Sequence, residues 1–290
     1  MTALDAGPAD PASIEAPSGK GRRDENFPVG SWLIRRDLRA HVHAFYRFAR
    51  NADDIADSPL LTADDKLRRL DCMAAVLDGA ASVSDGESPA AAAMRRSLAQ
   101  TGVTPQHCHD VLHAFRQDAT KLRYRDWDDL MDYCRYSASP VGRQLLDLHG
   151  ESRDTWPASD ALCDALQVLN HLQDCVADYR NLDRVYVPLA ELDAAGLSVA
   201  SLTAPTASPA FRRVLDGLLD RTELLIDKAR QLPPRVKAPG LRWESATIVA
   251  LAARLARRLR RGDPLAGRVK LSKGDFALAF LAGISARGRG

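Results

Sequence analysis

The stretch Leu38-Arg39-Ala40-His41-Val42-His43-Ala44-Phe45-Tyr46-Arg47-Phe48-Ala49-Arg50-Asn51-Ala52-Asp53-Asp54-Ile55-Ala56-Asp57 decides the fold class. Leu38, Val42, Phe45, Ala49 and Ala52 recur at steps of three and four, the period of one packed face of an α-helix. Strand-type alternation is hard to find along the chain. The same periodicity predicts helices over 63–77, 90–101, 105–121, 127–137, 161–179, 209–231 and 243–260, so the expected fold class is all-α. Turn chemistry predicts breaks at Ser84-Asp85-Gly86, Ser139-Pro140, Pro233-Pro234 and Ala238-Pro239-Gly240. Residues 197–209, rich in Ser, Thr, Ala and Pro, read as an external loop.

The same opening helix carries a second pattern. Tyr46, Arg50, Asp53 and Asp57 follow at four, three and four, which puts them on one face. Asp53 and Asp57 stand one turn apart, about 6 Å along the axis, and like charges at that spacing repel unless a cation sits between them. Mg²⁺ is commonly shared between one or two carboxylates and a substrate phosphate, which suits such a pair. Arg50 on the same stripe is placed to bind a phosphate oxygen. An isolated pair of this kind also fits a solvated acidic helix end.

A second stripe changes that balance. Gln167, Asn170, Asp174 and Asp178 follow at three, four and four, while Val168, Leu169, Leu172 and Val176 supply the apolar side of the same helix. Asn181, Arg184 and Tyr186 come just past its expected end. Two carboxylate stripes on opposed helices would hold Mg²⁺ ions against a diphosphate leaving group as its C–O bond breaks.

The bulk numbers are compatible with this and exclude several alternatives. The chain has 290 residues, 46% hydrophobic, with 40 basic and 38 acidic side chains. That length buries a sizeable core, and a net charge of +2 gives no global field for nucleic acid. Cys72, Cys108, Cys134, Cys163 and Cys175 form an odd set without C-x-x-C spacing, as expected of reduced thiols in a cytosolic protein. Residues 1–23 lack an apolar core segment and read as a disordered tail rather than a secretory signal. The apolar stretch 276–284 is far too short to span a bilayer.

Taken together, the two stripes, with Tyr133-Cys134-Arg135-Tyr136-Ser137-Ala138-Ser139-Pro140-Val141-Gly142 between them, resemble the signatures of the squalene and phytoene synthase family. The likeness covers nearly all of the chain after the tail. Within that family, Glu25-Asn26-Phe27-Pro28-Val29, the run ending at Arg143, and Asn170-His171-Leu172-Gln173-Asp174 are most similar to its branch in the bacterial hopanoid route. The resemblance implies a single-domain class I isoprenoid synthase bundle over 24–285 with a central hydrophobic cavity. It also implies Mg²⁺ as cofactor and ionisation of presqualene diphosphate, with rearrangement and water capture giving hydroxysqualene, without a nicotinamide. Gln173 replaces an Arg usual before the aspartate and Ser139-Pro140 replaces a Gly-containing step, which is consistent with a specialist in the second half-reaction.

On this resemblance, Asp53, Asp57, Asn170, Asp174 and Asp178 are the expected metal ligands, and Tyr46 joins the four aspartates in the catalytic set. Phe27, Arg50, Tyr133, Gln167, Arg184, Tyr186, Arg268 and Lys273 are the expected substrate contacts. Aromatic faces along a prenyl channel stabilise cations by roughly 0.5 to 2 kcal/mol each, although aromatics at helical spacing are more often plain core. His171 reads as a packing residue or a support for Asn170 rather than a base. Asp126, Asp128 and Asp129 read as a helix cap. The run Arg254, Arg257, Arg258, Arg260 and Arg261 reads as a solvated face, or as a face that meets anionic lipid.

The expected partner is a prenyl diphosphate, with transient contact to a membrane surface or to sister enzymes of the route, and no nucleic acid. The expected location is the cytoplasm, with a peripheral place at the inner face of the membrane as the alternative. Open alternatives for the reaction are condensation of two prenyl diphosphates to squalene, dehydrosqualene or phytoene, a class I terpene cyclase, and a catalytically silent helical scaffold. A scaffold has no reason to hold repelling carboxylates together.

Overall fold

A computed structural model of the chain describes Ile14 and residues 34–286. Their contacts divide into two compact units, one of residues 39–120 with Ile14 and one of residues 34–38 with 121–286. Among the described residues no extended strand forms; the sole β feature is a single bridge between Arg123 and Val185. The all-α expectation holds.

The first unit consists of α1 (Arg39–Asp57), α2 (Ala63–Asp78), α3 (Pro89–Thr101) and α4 (Gln106–Asp118), with α1 packed against the other three. Phe45, Phe48, Ala52 and Ile55 of α1 are buried at the period read from sequence, with Met73 and Val76 of α2, Met94 of α3 and Leu112 of α4 in the same core. Each large apolar side chain removed from water contributes about 1.5–3 kcal/mol before the entropic cost of ordering it. The helix ends are specified locally. Thr62 Oγ1 accepts from Asp65 N at 3.2 Å to cap α2, which stops at Gly79 in the left-handed region, φ 71°. Ser88 caps α3 ahead of Pro89, and the turn expected at 84–86 separates α2 from α3. Ile14, inside the segment expected as a tail, donates its N–H to Glu87 O at 2.9 Å and accepts from Arg69 Nη1 at 2.6 Å. The rest of that segment lies outside the described residues.

The second unit contains α5 (Trp127–Ser137), α6 (Ser139–Leu148), α7 (Trp156–Leu182), α8 (Leu189–Ala194), α9 (Pro209–Ala229), α10 (Leu232–Arg235), α11 (Pro239–Arg261) and α12 (Lys273–Ala286). The long α7 packs against α5, α6, α9 and α11, and α11 carries α10 and α12. Ala161, Leu162, Ala165, Val168, Leu169 and Leu172 form the buried side of α7, at the spacing of one helix face. α6 approaches α7 closely at Gly142, where a Cβ would press on Ser159 Oγ and Cys163 Sγ. Asp126 caps α5, accepting from Asp129 N at 2.9 Å, as read from sequence.

Three sequence expectations change. The Ser139-Pro140 break is real but one residue long, because Pro140 sits in the first turn of α6, where its missing N–H costs nothing. Pro233-Pro234 is likewise absorbed into the first turn of the short α10. The presumed external loop 197–209 contains a 3₁₀ turn over Val199–Thr203, and Leu202 within it is fully buried. All five cysteines are free thiols. No helix among the described residues is long and apolar enough to cross a membrane.

Candidate active site

In the first unit, α1 presents Tyr46, Arg50, Asp53 and Asp57 as a half-buried stripe beside the buried Phe48, Ala52, Ile55 and Ala56. Arg50 is engaged by its neighbours, with Nη1 2.9 Å from Asp53 Oδ2 and Nη2 2.7 Å from the buried Asp54 Oδ1. This one guanidinium does not balance the local negative charge. Burial, and after it the charge of Asp57, push the Asp53 carboxyl up to about 8 despite Arg50, with Asp118 and Asp54 adding to the rise. A raised acid beside a second acid one turn away is the electrostatic signature of a place that a cation would stabilise. Oxygen donors on one accessible face also match the ligand preference of Mg²⁺.

In the second unit, α7 presents Gln167, Asn170, Asp174 and Asp178, all half-buried, on the face away from Val168, Leu169 and Leu172. Asp174 is held bidentately by Arg268, Nε to Oδ1 at 2.6 Å and Nη2 to Oδ2 at 2.8 Å. Beside it, the Gln173 side-chain amide donates to the Val269 carbonyl, so adjacent residues of α7 grip adjacent residues of the 264–272 segment. Lys273 opens α12 with an exposed side chain.

Past α7 the chain turns at Asp183, whose φ of 50° is the one left-handed non-glycine conformation among the described residues, a role Asp tolerates. Arg123 Nη2 holds the Asp183 carboxylate at 2.6 Å, and Val185 N donates to Leu122 O at 2.9 Å. This docking sends Arg184 and Tyr186 inward. Both are buried, and Arg184 Nη1 lies 3.3 Å from Tyr186 Oη. Tyr186 stacks on His171 with ring centroids 3.4 Å apart and on Tyr124 at 5.3 Å, and Tyr133 tilts against the set with its hydroxyl 3.5 Å from that of Tyr186. Burial, with Arg184 adding, pushes the His171 imidazole down to about 3. The ring is therefore neutral, and its Nε2 is buried without a hydrogen-bond partner. His171 is a packing residue, in line with the sequence reading.

The second unit thus gathers Tyr133, Arg184 and Tyr186 into one cluster, with Arg268 on Asp174 as a separate contact, while Tyr46, Arg50, Asp53 and Asp57 share α1 in the first unit. Phe27 lies outside the described residues. Tyr124 joins the ring cluster unforeseen, because it sits on a non-helical segment where no periodicity marks it. Within the described residues no three His, Cys, Asp or Glu side chains converge on one point. A cleft of about 400 Å³ lined by Arg35, His149, Glu151, Lys237 and Leu241 contains none of the stripe residues. The basic run on α11 is largely spoken for: Arg254 and Arg258 meet Asp275, and Arg260 meets Asp220 and Glu223.

Comparison with known proteins adds the following. Residues 21–275 match the family model described as squalene/phytoene synthase. The chain is 50% identical over 275 residues to a hydroxysqualene synthase of Rhodopseudomonas palustris, covering 94% of this chain and 92% of that protein. It is 43% identical over 268 residues to one of Zymomonas mobilis, covering 91% and 89%. The crystal structure of a squalene synthase from Alicyclobacillus acidocaldarius superposes with a TM-score of 0.71 at 32% identity, over 80% of this chain and 87% of that one. A ligand-bound dehydrosqualene synthase superposes at 0.75 with 22% identity, over 89% of each chain, a likeness of fold alone.

Proposed function

Because the chain belongs to the squalene/phytoene synthase family, we propose that it converts presqualene diphosphate and water to hydroxysqualene and diphosphate, a step of the squalene and hopanoid route. The observation that carries this reading is the 50% identity over 275 residues to a hydroxysqualene synthase, in a chain that carries two carboxylate stripes. The C–O bond to diphosphate breaks with its electron pair leaving on oxygen. The cyclopropylcarbinyl cation opens and rearranges, and a water oxygen then forms the new C–O bond while its proton passes to solvent or to the departed diphosphate.

The chain's own groups divide the work. Mg²⁺ held by Asp53, Asp57, Asn170, Asp174 and Asp178 would supply Lewis-acid neutralisation of the leaving diphosphate. Arg50 and Arg268, now paired with carboxylates, exchange those partners for diphosphate oxygens, where charge-assisted hydrogen bonds are strong. Gln167 and Lys273 add polar contacts to the substrate, and Tyr46 stands one turn before Arg50 on the same face. Gln173 anchors the segment that bears Arg268 through the Val269 carbonyl. Tyr133 and Tyr186 lie in the buried ring cluster with Tyr124 and His171, and their contact with the prenyl chain is assigned by the family likeness. Phe27 is assigned to the prenyl chain by the family likeness alone.

The test is to supply the purified protein with presqualene diphosphate and, separately, with farnesyl diphosphate alone. Hydroxysqualene from the first and no C30 product from the second is the expected outcome. Squalene or presqualene diphosphate formed from farnesyl diphosphate alone would overturn the reading in favour of a full condensing synthase.

A further inference from the structure

The last described helix, α12, is unlike the others. From Phe276 to Ile284 its sequence is uniformly apolar, which in a water-soluble chain is the composition of a helix covered on all sides. Among the described side chains of α12, one edge is covered. Asp275, Ala279 and Gly283, spaced by four, form the buried edge, where Asp275 meets Arg254 and Arg258 of α11 and Trp243 packs on Phe280 at a ring-centroid distance of 4.6 Å. The approach is tight: a Cβ on Gly283 would lie 2.4 Å from both Thr247 Oγ1 and Trp243 Cδ1.

The opposite face carries Ala277, Leu278 and Leu281, flanked by Phe276, and all four are exposed, Leu278 by 51% and Leu281 by 59%. Single exposed leucines are ordinary, but a contiguous apolar helix face marks an interaction surface.

The charges around this face point to its occupant. Arg254 and Arg258 touch the first turn of α12 through Asp275, and Arg257 and Arg261 are exposed on the same stripe of α11, at offsets of three and seven from Arg254. Lys270 and Lys273 are exposed on the approach to α12. From Arg257 to the last residue the sequence holds nine basic and two acidic side chains. Both acids are engaged inside the fold, Asp275 by Arg258 and Asp263 by the N–H groups of Ala207 and Leu265. An apolar face with exposed basic side chains on the adjoining elements complements an anionic bilayer.

We propose that the Ala277, Leu278 and Leu281 face of α12, together with the exposed Arg257, Arg261 and Lys270, docks the protein on an anionic lipid surface. The leucines enter the acyl boundary while the arginines and Lys270 meet the headgroups. The surface argument stands without the proposed reaction. That reaction supplies a reason for it, since a C30 alcohol leaves water for a lipid phase.

The test is cosedimentation of the full chain with vesicles of phosphatidylcholine alone and of equal parts phosphatidylcholine and phosphatidylglycerol, without substrate, so that the result is independent of the reaction assigned above. Wild type is expected to favour the anionic vesicles and to lose binding in high salt. The exposed Arg257→Glu/Arg261→Glu variant should weaken partitioning by about fivefold per charge or more. Leu278→Glu/Leu281→Glu should abolish it with helicity and thermal midpoint retained. Wild type that ignores anionic vesicles, or a leucine variant that binds as wild type does, would overturn the proposal. So would a dimer in lipid-free sedimentation velocity that the leucine variant turns into monomer while vesicles bind neither form, because the face would then belong to a second copy.

Discussion

Arg268 grips Asp174 through two nitrogen–oxygen contacts of 2.6 and 2.8 Å, so a carboxylate of the α7 stripe is neutralised by the chain itself. On the proposed reaction, the guanidinium must release this carboxylate when a divalent cation and diphosphate arrive. Removing it therefore has opposite effects on two measurements. Arg268→Gln is expected to raise the Mg²⁺ affinity of the substrate-free protein by roughly twofold to fivefold, the value of a partly exposed ion pair, while lowering turnover. Titration calorimetry checks the first and product formation the second. Unchanged affinity in the variant would mean that Arg268 does not compete for Asp174.

The carboxylates themselves should matter for chemistry far more than for stability. Asp53 is an acid already destabilised by burial and by Asp57, so Asp53→Asn relieves repulsion at nearly constant volume. Turnover is expected to fall on the order of 10²-fold or more, with the thermal midpoint unchanged or raised. Asp174→Asn should cost as much activity. Wild-type rates in either variant, or rates that survive excess chelator, would rule out the mechanism.

Asp164 gives a pH signature separate from catalysis. Burial, partly offset by the Ser139 hydroxyl that donates to it at 3.0 Å, pushes its carboxyl up to about 7 from the ordinary 3.8. Between those values the folded chain holds a proton that the unfolded chain has lost, so this group's contribution to stability falls as pH rises. His171, pushed down to about 3 from 6.5, acts with the opposite sign, because the unfolded chain gains its proton first as pH falls. The clean readout is a difference. Asp164→Asn should gain stability relative to wild type progressively from about pH 4 to pH 7, measured by urea midpoints. A gap independent of pH would contradict this assignment.

Gly142 leaves little room for a side chain between α6 and α7. A Cβ there would press on Ser159 Oγ and Cys163 Sγ, so Gly142→Ala makes these side chains rotate or α6 shift and should cost about 1–3 kcal/mol of stability. Ser159→Ala in the same chain removes the nearer atom and should recover part of the loss. Thermal unfolding of the single and double variants tests both statements.

The fold was legible wherever a helix has two unlike faces. Phe45, Phe48, Ala52 and Ile55 are buried at the period that marked α1, and Val168, Leu169 and Leu172 do the same for α7. α12 escaped because it is apolar all round, so no period distinguishes it from any short hydrophobic run. α6 has no such signature, because Ser139-Pro140 has the chemistry of a break while Pro140 stands in a first turn. In the candidate site, the stripes were visible because three- and four-residue spacing is a local property. The pairing of Arg268 with Asp174 spans 94 residues, and the stacking of Tyr124, His171 and Tyr186 depends on hydrogen bonds between two non-helical segments. No local pattern encodes either.

The central claim, that the carboxylates of each stripe bind metal that assists departure of the diphosphate, is tested most directly by a crystal structure of the protein with Mg²⁺ and a thiodiphosphate analogue of presqualene diphosphate. The expected result is Mg²⁺ at Asp53 and Mg²⁺ at Asp174, with Arg268 moved from Asp174 to the diphosphate. A diphosphate bound with metal on neither aspartate, or with Arg268 still clasping Asp174, would contradict the account.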